Sequence, residues 1–378
     1  MGSIALTECA TAHADASPPT VCLTPSAKPW NLTPLMESTA LSRAAGCRVF
    51  LKLELLQPSG SFKSRGIGHY LLCRLSEHPE PNKVHFYASS GGNAGLACVT
   101  AAVTLGRPAT VVCPTSTSPG MLAKLRAAGA TDVIVRGRDL AEAGEYLQRH
   151  ILPTNPRYGV YVPPYDHPDI WAGNGSVVHE VAAQMAERGE GRGAPDAIVC
   201  SVGGGGLLNG VCAAMDAVGW GEECSVLAME TRGTHSLAAA LEAGELVSLE
   251  KIGSEAKSLG ARRVSEETFR LARERKNVRS VVLDDREAAM GCWRLADDER
   301  LMVELACGVN VALCYDGRLE KAVGKKLTKE SKVVIVLCGG NDVTVEKLHQ
   351  WRKEYGDVEK EIPRNADVPS ESTAPGHR

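Results

Sequence analysis

Short apolar runs alternate with helical patterns from residue 48 to residue 355, and this alternation restricts the fold more than any other feature of the chain. The candidate strands are residues 49–53, 84–88, 109–113, 133–135, 160–162, 197–200, 226–229, 281–283 and 333–338. The helical patterns are residues 93–105, 121–128, 140–151, 170–188, 207–218, 286–298 and 345–355. Strands that alternate with helices are typical of a mostly parallel sheet covered by helices, so the sequence predicts an α/β fold.

The length of 378 residues allows two domains. A polar, proline-containing stretch at residues 163–168 is a candidate crossing between them. Residues 1–28 lack the charged start and apolar core of a signal peptide, so we expect a flexible N-terminal tail. The chain after residue 355 is polar and rich in proline, and residues 356–378 are predicted to be disordered.

The charge and the cysteine content argue against several classes of protein. The net charge is −3 and no basic cluster occurs, which argues against nucleic-acid binding. No apolar run approaches the roughly 18 to 20 residues of a membrane span. The 13 cysteines form no Cys-x-x-Cys pair, so structural zinc is not expected. An odd number of cysteines without a secretory signal predicts reduced thiols in the cytoplasm.

One lysine, Lys63, lies in a run of small residues between a predicted strand and a helical pattern. Partial burial would lower its pKa, so that the neutral amine could attack a carbonyl carbon. The neighbouring Phe62 offers a flat apolar face on which a ring could stack. A solvated lysine in a polar loop is the alternative, and it would be favoured if the motif stood alone. Arg65 is expected to form ion pairs in the first turn of the following helix.

A run of four glycines, residues 203–206, follows a predicted strand and opens a helical pattern. Consecutive glycines let backbone N–H groups converge at a helix N-terminus, which is a way to bind phosphate. The run lacks a Walker lysine, so ATP is not the expected ligand. A dinucleotide fold stays possible, and a merely tight turn is the other alternative.

Two more motifs follow predicted strands. Residues 89–93, Ser-Ser-Gly-Gly-Asn, place hydroxyl and N–H groups at a helix start, where they would suit a carboxylate. Asn93 could instead be only the N-cap of that helix. Cys338 ends the last predicted strand and could point into the crevice where open α/β folds bind ligands. The alternative for Cys338 is a packed core thiol.

Together these motifs resemble those of the pyridoxal-phosphate enzymes of the tryptophan-synthase-β type, and within them the L-serine/L-threonine dehydratases. The resemblance spans about residues 34–348 and rests on six motifs in order: SGSFKSRGIGH (59–69), SSGGNAG (89–95), PPYDHPDIW (163–171), SVGGGGLL (201–208), AMETRGTHS (228–236) and VLCGGN (336–341). It implies two open, twisted, mostly parallel sheets flanked by helices. The cofactor would lie in a cleft between a large domain, residues 29–56 plus 168–355, and a small domain, residues 57–167.

The resemblance also implies the site residues. Lys63 would carry pyridoxal 5′-phosphate and shuttle the proton at Cα of the substrate. The cofactor would further contact Phe62, Asn93, Gly203, Gly204, Gly205, Gly206, Leu207, Ser258 and Cys338. In this pattern Phe62 and Ser258 sandwich the ring, Asn93 binds the ring hydroxyl, and Cys338 faces the ring nitrogen. The substrate carboxylate would be held by Ser90, Gly91, Gly92 and Asn93.

A monovalent cation, K⁺, is implied as well. Its ligands would be Glu230 together with backbone carbonyls of Gly203, Thr234, Leu259 and Ala261. The alternative for Glu230 is an ordinary carboxylate at a strand end, because oxygen ligands alone are weakly diagnostic.

The implied function is β-elimination on a small amino-acid substrate by a cytoplasmic homodimer. L-serine, and also L-threonine, would give pyruvate or 2-oxobutanoate plus ammonia. Cys338 favours serine, because threonine-deaminase relatives carry serine there, and Gly91 lacks the hydroxyl of relatives that racemise serine. Leu305, Val309 and Asn310 depart from the family pattern, which leaves the preferred substrate open.

Two alternatives remain at this point. The first keeps the fold and cofactor but changes the reaction to β-replacement, or to elimination on a modified hydroxy amino acid. The second belongs to another class, a nucleotide-binding oxidoreductase or a non-catalytic ligand-binding module.

Overall fold

Residues 28–361 are described by a computed structural model, in which ten strands form two separate sheets. The strands are β1 (Leu35–Glu37), β2 (Arg48–Lys52), β3 (His85–Ala88), β4 (Ala109–Cys113), β5 (Asp132–Val135), β6 (Gly159–Val162), β7 (Ala197–Ser201), β8 (Ser225–Thr231), β9 (Val278–Leu283) and β10 (Lys332–Val336). One sheet has the strand order β1-β2-β10-β7-β8-β9 and the other has the order β5-β4-β3-β6. Only β1 pairs in the antiparallel sense, with β2.

Fourteen α-helices accompany these strands in the described part of the chain. They are α1 (Thr39–Ala45), α2 (Lys63–Glu77), α3 (Asn93–Thr104), α4 (Pro119–Ala127), α5 (Leu140–Tyr146), α6 (Pro168–Glu187), α7 (Gly206–Ala217), α8 (Ser236–Ala243), α9 (Glu266–Glu274), α10 (Asp285–Glu299), α11 (Leu305–Tyr315), α12 (Leu319–Val323), α13 (Val345–Tyr355) and α14 (Val358–Glu361). A π-helical turn, Leu147–Ile151, extends α5. Four single 3₁₀ turns are Glu54–Leu56, Pro81–Lys83, Leu152–Thr154 and Lys257–Leu259.

The centre of the larger sheet is buried on both faces. Strand β10 lies between β2 and β7, and Val333 pairs with Val49 on one side and with Ala197 on the other. All five residues of β7 and four of the five residues of β10 are buried. Strands buried on both faces lack polar alternation, and this explains why they appear in the sequence as continuous apolar runs.

The predicted fold class is confirmed, since two mainly parallel sheets are flanked by helices. All nine predicted strands and all seven predicted helical patterns are present, most of them with shifted ends. The disorder predicted from residue 356 onward stays a prediction; the structure describes Val358–Glu361 as α14, with Val358 4% exposed. The N-terminal tail and residues 362–378 lie outside the described residues, and the domain boundaries at residues 57 and 168 stay a prediction.

A buried ionic cluster anchors the start of α2. Arg65 is fully buried, and its guanidinium contacts Glu54 and Glu180 at 2.7 Å each. Lys52 reaches the same Glu180 carboxylate at 2.6 Å. The expected ion pairing of Arg65 is therefore confirmed. Since Arg65 follows Lys63 by two residues, the cluster fixes the helical turn on which that lysine stands.

Within residues 28–361, no helix has both the length and the apolarity that crossing a membrane requires.

Candidate active site

The loop before α2 and the loop after β10 are hydrogen-bonded to each other. The backbone N–H of Phe62 donates to the carbonyl of Cys338 at 3.1 Å, and that of Gly340 donates to the carbonyl of Gly60 at 2.9 Å. Two motifs that are almost 300 residues apart in the sequence thus share one backbone frame. Both loops lie at the carboxyl end of β10, where open α/β sheets bind ligands.

Lys63 is the first residue of α2, and its side chain is half-buried. Nζ donates to the carbonyl oxygen of Pro164 at 2.7 Å and lies 5.2 Å from the centre of the Phe62 ring. Burial lowers the pKa of this amine from 10.5 to about 8, and a weak opposing effect comes from Cys338. A lysine of this kind is neutral far more often at physiological pH than an ordinary one, as a nucleophile or base must be.

The glycine turn lies against the same segment that accepts the hydrogen bond of Lys63. A Cβ atom on Gly204 would overlap the ring of Tyr165, and one on Gly206 would overlap its carbonyl. Pro164 therefore contacts Lys63, and the next residue, Tyr165, contacts the glycine turn, which brings these two motifs close together. The absence of side chains in the turn permits this close approach.

The glycine turn leads into α7, which begins at Gly206 and includes Leu207 in its first turn. The first N–H groups of a helix have no acceptor within the helix, and the helix dipole adds positive potential at this end. The turn and α7 together offer several backbone donors to an anion, in the arrangement by which proteins bind phosphate.

Asn93 links the two sheets. Its side-chain Nδ2 donates to Ser258 Oγ at 3.1 Å and to Glu304 Oε1 at 2.8 Å. Its Oδ1 accepts from the backbone and side-chain nitrogens of Asn341, at 3.1 and 3.0 Å. The alternative that Asn93 is the N-cap of its helix is wrong, because Gly92 occupies the cap and Asn93 is the first residue of α3. The side chain of Asn93 thus forms hydrogen bonds with residues that follow strands of the larger sheet, Ser258, Glu304 and Asn341.

The loop between β3 and α3 carries the residues expected to hold a carboxylate. Ser90 Oγ accepts from the N–H of Gly92 at 3.3 Å, which shapes the turn before α3. A Cβ atom on Gly91 would overlap the side chain of Thr117, a residue of the loop after β4. Gly91 is therefore packed against a second loop, which sequence reasoning did not connect with the site.

Cys338 is 5% exposed and stands next to polar groups. Its Sγ lies 3.6 Å from Ser201 Oγ and 3.7 Å from Asn310 Nδ2. Burial raises the pKa of the thiol to about 11, so Cys338 is neutral at physiological pH. Val309 and Asn310, noted in the sequence as departures, are both buried in α11, and Asn310 is one of these neighbours.

Glu230 caps a helix in the structure. Its two carboxylate oxygens accept from the N–H groups of Leu237 and Ala238 in α8, at 2.8 and 2.9 Å. Burial raises the pKa of this carboxyl to about 7, against the effect of those hydrogen bonds. Of the predicted carbonyl ligands, Gly203 packs directly beside Leu259. No group of three or more His, Cys, Asp or Glu side chains in residues 28–361 could hold a metal ion. The cation site of Gly203, Glu230, Thr234, Leu259 and Ala261 stays a prediction.

Sequence reasoning missed Glu304. This residue precedes α11, is 6% exposed, and accepts from Asn93 Nδ2 and, at 3.3 Å, from the backbone N–H of Asp342. Gly340, with a φ of 114°, leaves the space that its carboxylate fills. A signal existed in the sequence, because Glu304 is the one charged residue among the apolar residues 301–307. A buried glutamate is rare unless it has partners.

Comparisons with known proteins agree with this geometry. The family model described as "Pyridoxal-phosphate dependent enzyme" matches residues 28–339. A human protein named L-serine dehydratase/L-threonine deaminase is 42% identical over 326 residues, which cover 86% of this chain and 95% of that protein. A Saccharomyces cerevisiae protein named catabolic L-serine/threonine dehydratase is 38% identical over 327 residues, covering 85% of this chain and 90% of that protein.

A solved structure supports the same relationship. The crystal structure of a fungal L-serine ammonia-lyase from Rhizomucor miehei superimposes with a TM-score of 0.78 at 32% sequence identity. The match covers 86% of this chain and 99% of that one. The family model and the relatives both span most of the chain. The chain therefore belongs to the family of pyridoxal-phosphate dependent enzymes.

Proposed function

We propose that this chain is a pyridoxal-phosphate dependent ammonia-lyase that converts L-serine, and also L-threonine, to pyruvate or 2-oxobutanoate plus ammonia. The observation that carries the proposal is the pair of contacts made by two adjacent residues, Pro164 with the Lys63 amine and Tyr165 with the glycine turn. It supports a single site in which an amine of lowered pKa faces a phosphate-binding turn. Relatives named as serine and threonine dehydratases support the substrates.

The side chains fit pyridoxal phosphate. The amine of Lys63 would attach it, and the amides of Gly203, Gly204, Gly205, Gly206 and Leu207 would bind its phosphate. Phe62 and Ser258 would flank the ring, and Asn93 would donate to its hydroxyl. When bound, this cofactor supplies an electron sink for the electron pair left on the α-carbon of the substrate.

Lys63 is the proposed base at the α-carbon. With a pKa of about 8, its amine is neutral in about a tenth of molecules at pH 7. An ordinary lysine would be neutral in far fewer than one in a thousand. In its neutral form Nζ can remove the Cα proton of the substrate, and in its charged form it can return a proton.

The loop of Ser90, Gly91 and Gly92 is the proposed carboxylate site. The side chain of Ser90 and the N–H groups at the start of α3 would donate to the substrate carboxylate, and the dipole of this twelve-residue helix favours negative charge there. Fixing the carboxylate orients the α-carbon and the β-hydroxyl, which lowers the entropy cost of the reaction.

Cys338 is proposed to bias the outcome of the reaction. As a neutral thiol it does not hold positive charge on a neighbouring ring nitrogen as a carboxylate would. Negative charge left on the α-carbon is therefore short-lived. Loss of the β-hydroxyl then competes well with return of the proton to the α-carbon. The bias supports elimination over racemisation.

We further propose a cytoplasmic homodimer with a K⁺ site at Glu230. Eleven of the 13 cysteines lie in the described residues; all of these are unpaired and ten are buried, which fits a reducing compartment. Activity measured in K⁺ and in Na⁺ would test the cation, and light scattering would test the dimer. Equal rates in K⁺ and Na⁺ would contradict the cation site. The mass of a monomer would contradict the dimer.

The test of the function is the release of 2-oxo acid from a panel of β-hydroxy amino acids. We expect release from L-serine and L-threonine without any added nucleophile. If no 2-oxo acid is released and an S-substituted amino acid plus water forms when a thiol is added, the reaction is β-replacement instead.

The variant Lys63→Ala tests the site. Without the amine we expect loss of the visible absorbance of bound cofactor and at least a thousandfold loss of activity, because both attachment and proton removal depend on it. The control is Lys83→Ala, an exposed lysine in the turn Pro81–Lys83. Absorbance and activity that survive in Lys63→Ala would defeat the assignment.

A further inference from the structure

The carboxylate of Glu304 lies where three parts of the chain meet. It precedes α11, accepts a hydrogen bond from Asn93 at the start of α3, and accepts another from the N–H of Asp342 after β10. Side-chain burial is almost complete. A glutamate buried with only neutral partners is costly, so its place beside the proposed cofactor site calls for a functional reason.

Glu304 and Asn341 together set the orientation of the Asn93 amide, because Glu304 accepts from its NH₂ group and Asn341 donates to its oxygen. Amide Nδ2 carries two hydrogens, of which one goes to Glu304 Oε1 and the other to Ser258 Oγ. An ionised carboxylate only accepts, so it forces the NH₂ end of Asn93 to its side. The second Nδ2 hydrogen of Asn93, which here bonds to Ser258 Oγ, is the one that Asn93 can donate to the hydroxyl of the cofactor ring.

A small polar pocket lies behind the carboxylate. Its volume is about 90 Å³, and its walls include Ser258, Asp342 and Lys347 besides Glu304. At its edge stand the exposed side chains of Glu255, Lys257 and Gln350. A polar pocket of this volume holds a few waters. Protons from solvent can therefore reach Glu304 through this pocket.

We propose that Glu304 is a positioning residue whose ionised carboxylate holds Asn93 Nδ2 toward the cofactor ring, and whose loss of charge weakens cofactor binding. This inference rests on the proposed function, because it takes Asn93 as a ligand of the ring hydroxyl. A protonated carboxyl both donates and accepts, and without its charge it holds the NH₂ group of Asn93 less firmly than the ionised carboxylate does.

The surroundings of Glu304 set the direction of the pH effect. Burial raises the pKa of this carboxyl, so the charge is lost at a pH above that of an exposed glutamate. The facing groups are Asp342, which is paired with Lys347, and the buried thiols of Cys292 and Cys307, whose own pKa values are raised by burial. Glu255 and Lys257 face it across the pocket. Cofactor affinity should therefore fall as the pH falls.

The test compares the dissociation constant of pyridoxal phosphate for the wild-type chain and for Glu304→Gln across pH. At pH 8 we expect about tenfold weaker binding by the variant, since one charge-assisted hydrogen bond is lost. The ratio should shrink towards one as the pH falls and the wild-type carboxyl becomes protonated. Lys63 titrates in both proteins, so its contribution cancels in the ratio.

The matched control is Glu255→Gln. This glutamate lines the same pocket but bonds to Tyr355 and Trp351 rather than to Asn93, so its ratio should stay near one at every pH. Adding Glu304→Gln to Asn93→Ala should cause no further loss, because the two residues act through one bond. If Glu304→Gln does not fold, Asn93→Ala alone tests the proposal. Its affinity for pyridoxal phosphate should depend less on pH than that of the wild type.

The outcomes separate the two proposals. Equal affinities of wild type and Glu304→Gln at pH 8, a ratio independent of pH, or additive losses would each overturn the role of Glu304 and leave the proposed function intact. A wild-type chain that binds no pyridoxal phosphate would overturn both.

Discussion

Thr117 occupies the space beside Gly91, and this contact decides which side chains the carboxylate loop accepts. Its side chain stands where a Cβ of residue 91 would be. A serine at position 91, as in relatives that racemise serine, cannot simply be inserted here. The side chain of Thr117 on the neighbouring loop thus explains why position 91 has no side chain with a hydroxyl.

We expect Gly91→Ser to raise the KM for L-serine about tenfold, because the overlap with Thr117 displaces the loop at a cost of about 1–3 kcal/mol. Adding Thr117→Ala should recover most of the loss. Gly120→Ser is the control, since a Cβ on that nearby glycine meets open space. A double variant no better than Gly91→Ser would disprove the coupling.

At the scale of elements, α11 begins where the family pattern has a proline and this chain has Leu305. Glu304, the preceding residue, has φ −78° and ψ 166°, an extended conformation that a following proline requires. Leu305 is the first helical residue, where the N–H has no partner within the helix. The backbone is therefore already suited to proline.

Leu305→Pro should fold and should lower the free energy of unfolding by about 1 kcal/mol or less, from lost side-chain packing alone. Val309→Pro in the interior of the same helix should cost about 3 kcal/mol or more, because it removes a hydrogen bond and clashes with the preceding turn. Urea unfolding measures both. Similar losses in the two variants would show that the start of α11 is not prepared for proline.

Strands and helices were predictable from the sequence where the hydrophobic pattern of a short segment was enough to identify them. Strands such as β4 and β7 appear as apolar runs, and α13 shows helical periodicity with matching ends. The three residues of β1 are too few to make a pattern, and α11 is buried on nearly all sides, so it lacks the polar face that marks a helix.

The site was predictable in its four motifs but not in the residues that connect them. Lys63, Asn93, the glycine turn and Cys338 each follow or begin an element, and parallel strands carry such ends to one edge. Glu304 and Thr117 enter the site through contacts between distant segments. No local pattern in the sequence encodes that Glu304 meets Asn93, 211 residues away.

For the whole molecule, the buried cluster of Arg65, Glu54 and Glu180 ties α2 to the turn Glu54–Leu56 and to α6. Arg65→Met should lower the free energy of unfolding by about 3–5 kcal/mol, because the fully buried carboxylate of Glu54 loses its ion-pair partner while Glu180 keeps Lys52. The control Arg270→Met removes an exposed ion pair and should change stability by less than about 1 kcal/mol. Chemical denaturation checks both, and a small effect of Arg65→Met would mean that Lys52 compensates.

The hydrogen bonds between the Lys63 loop and the Cys338 loop tie amine and thiol to the larger sheet, whereas Ser90, Gly91 and Thr117 follow strands of the smaller one. In the proposed site, proton removal would thereby depend on the larger sheet and carboxylate binding on the smaller one. The short segments after β3 and β4 can therefore be varied while the amine and the thiol keep their spacing. Enzyme engineers can use this division to change how the substrate is bound without changing the residues proposed to carry out the reaction.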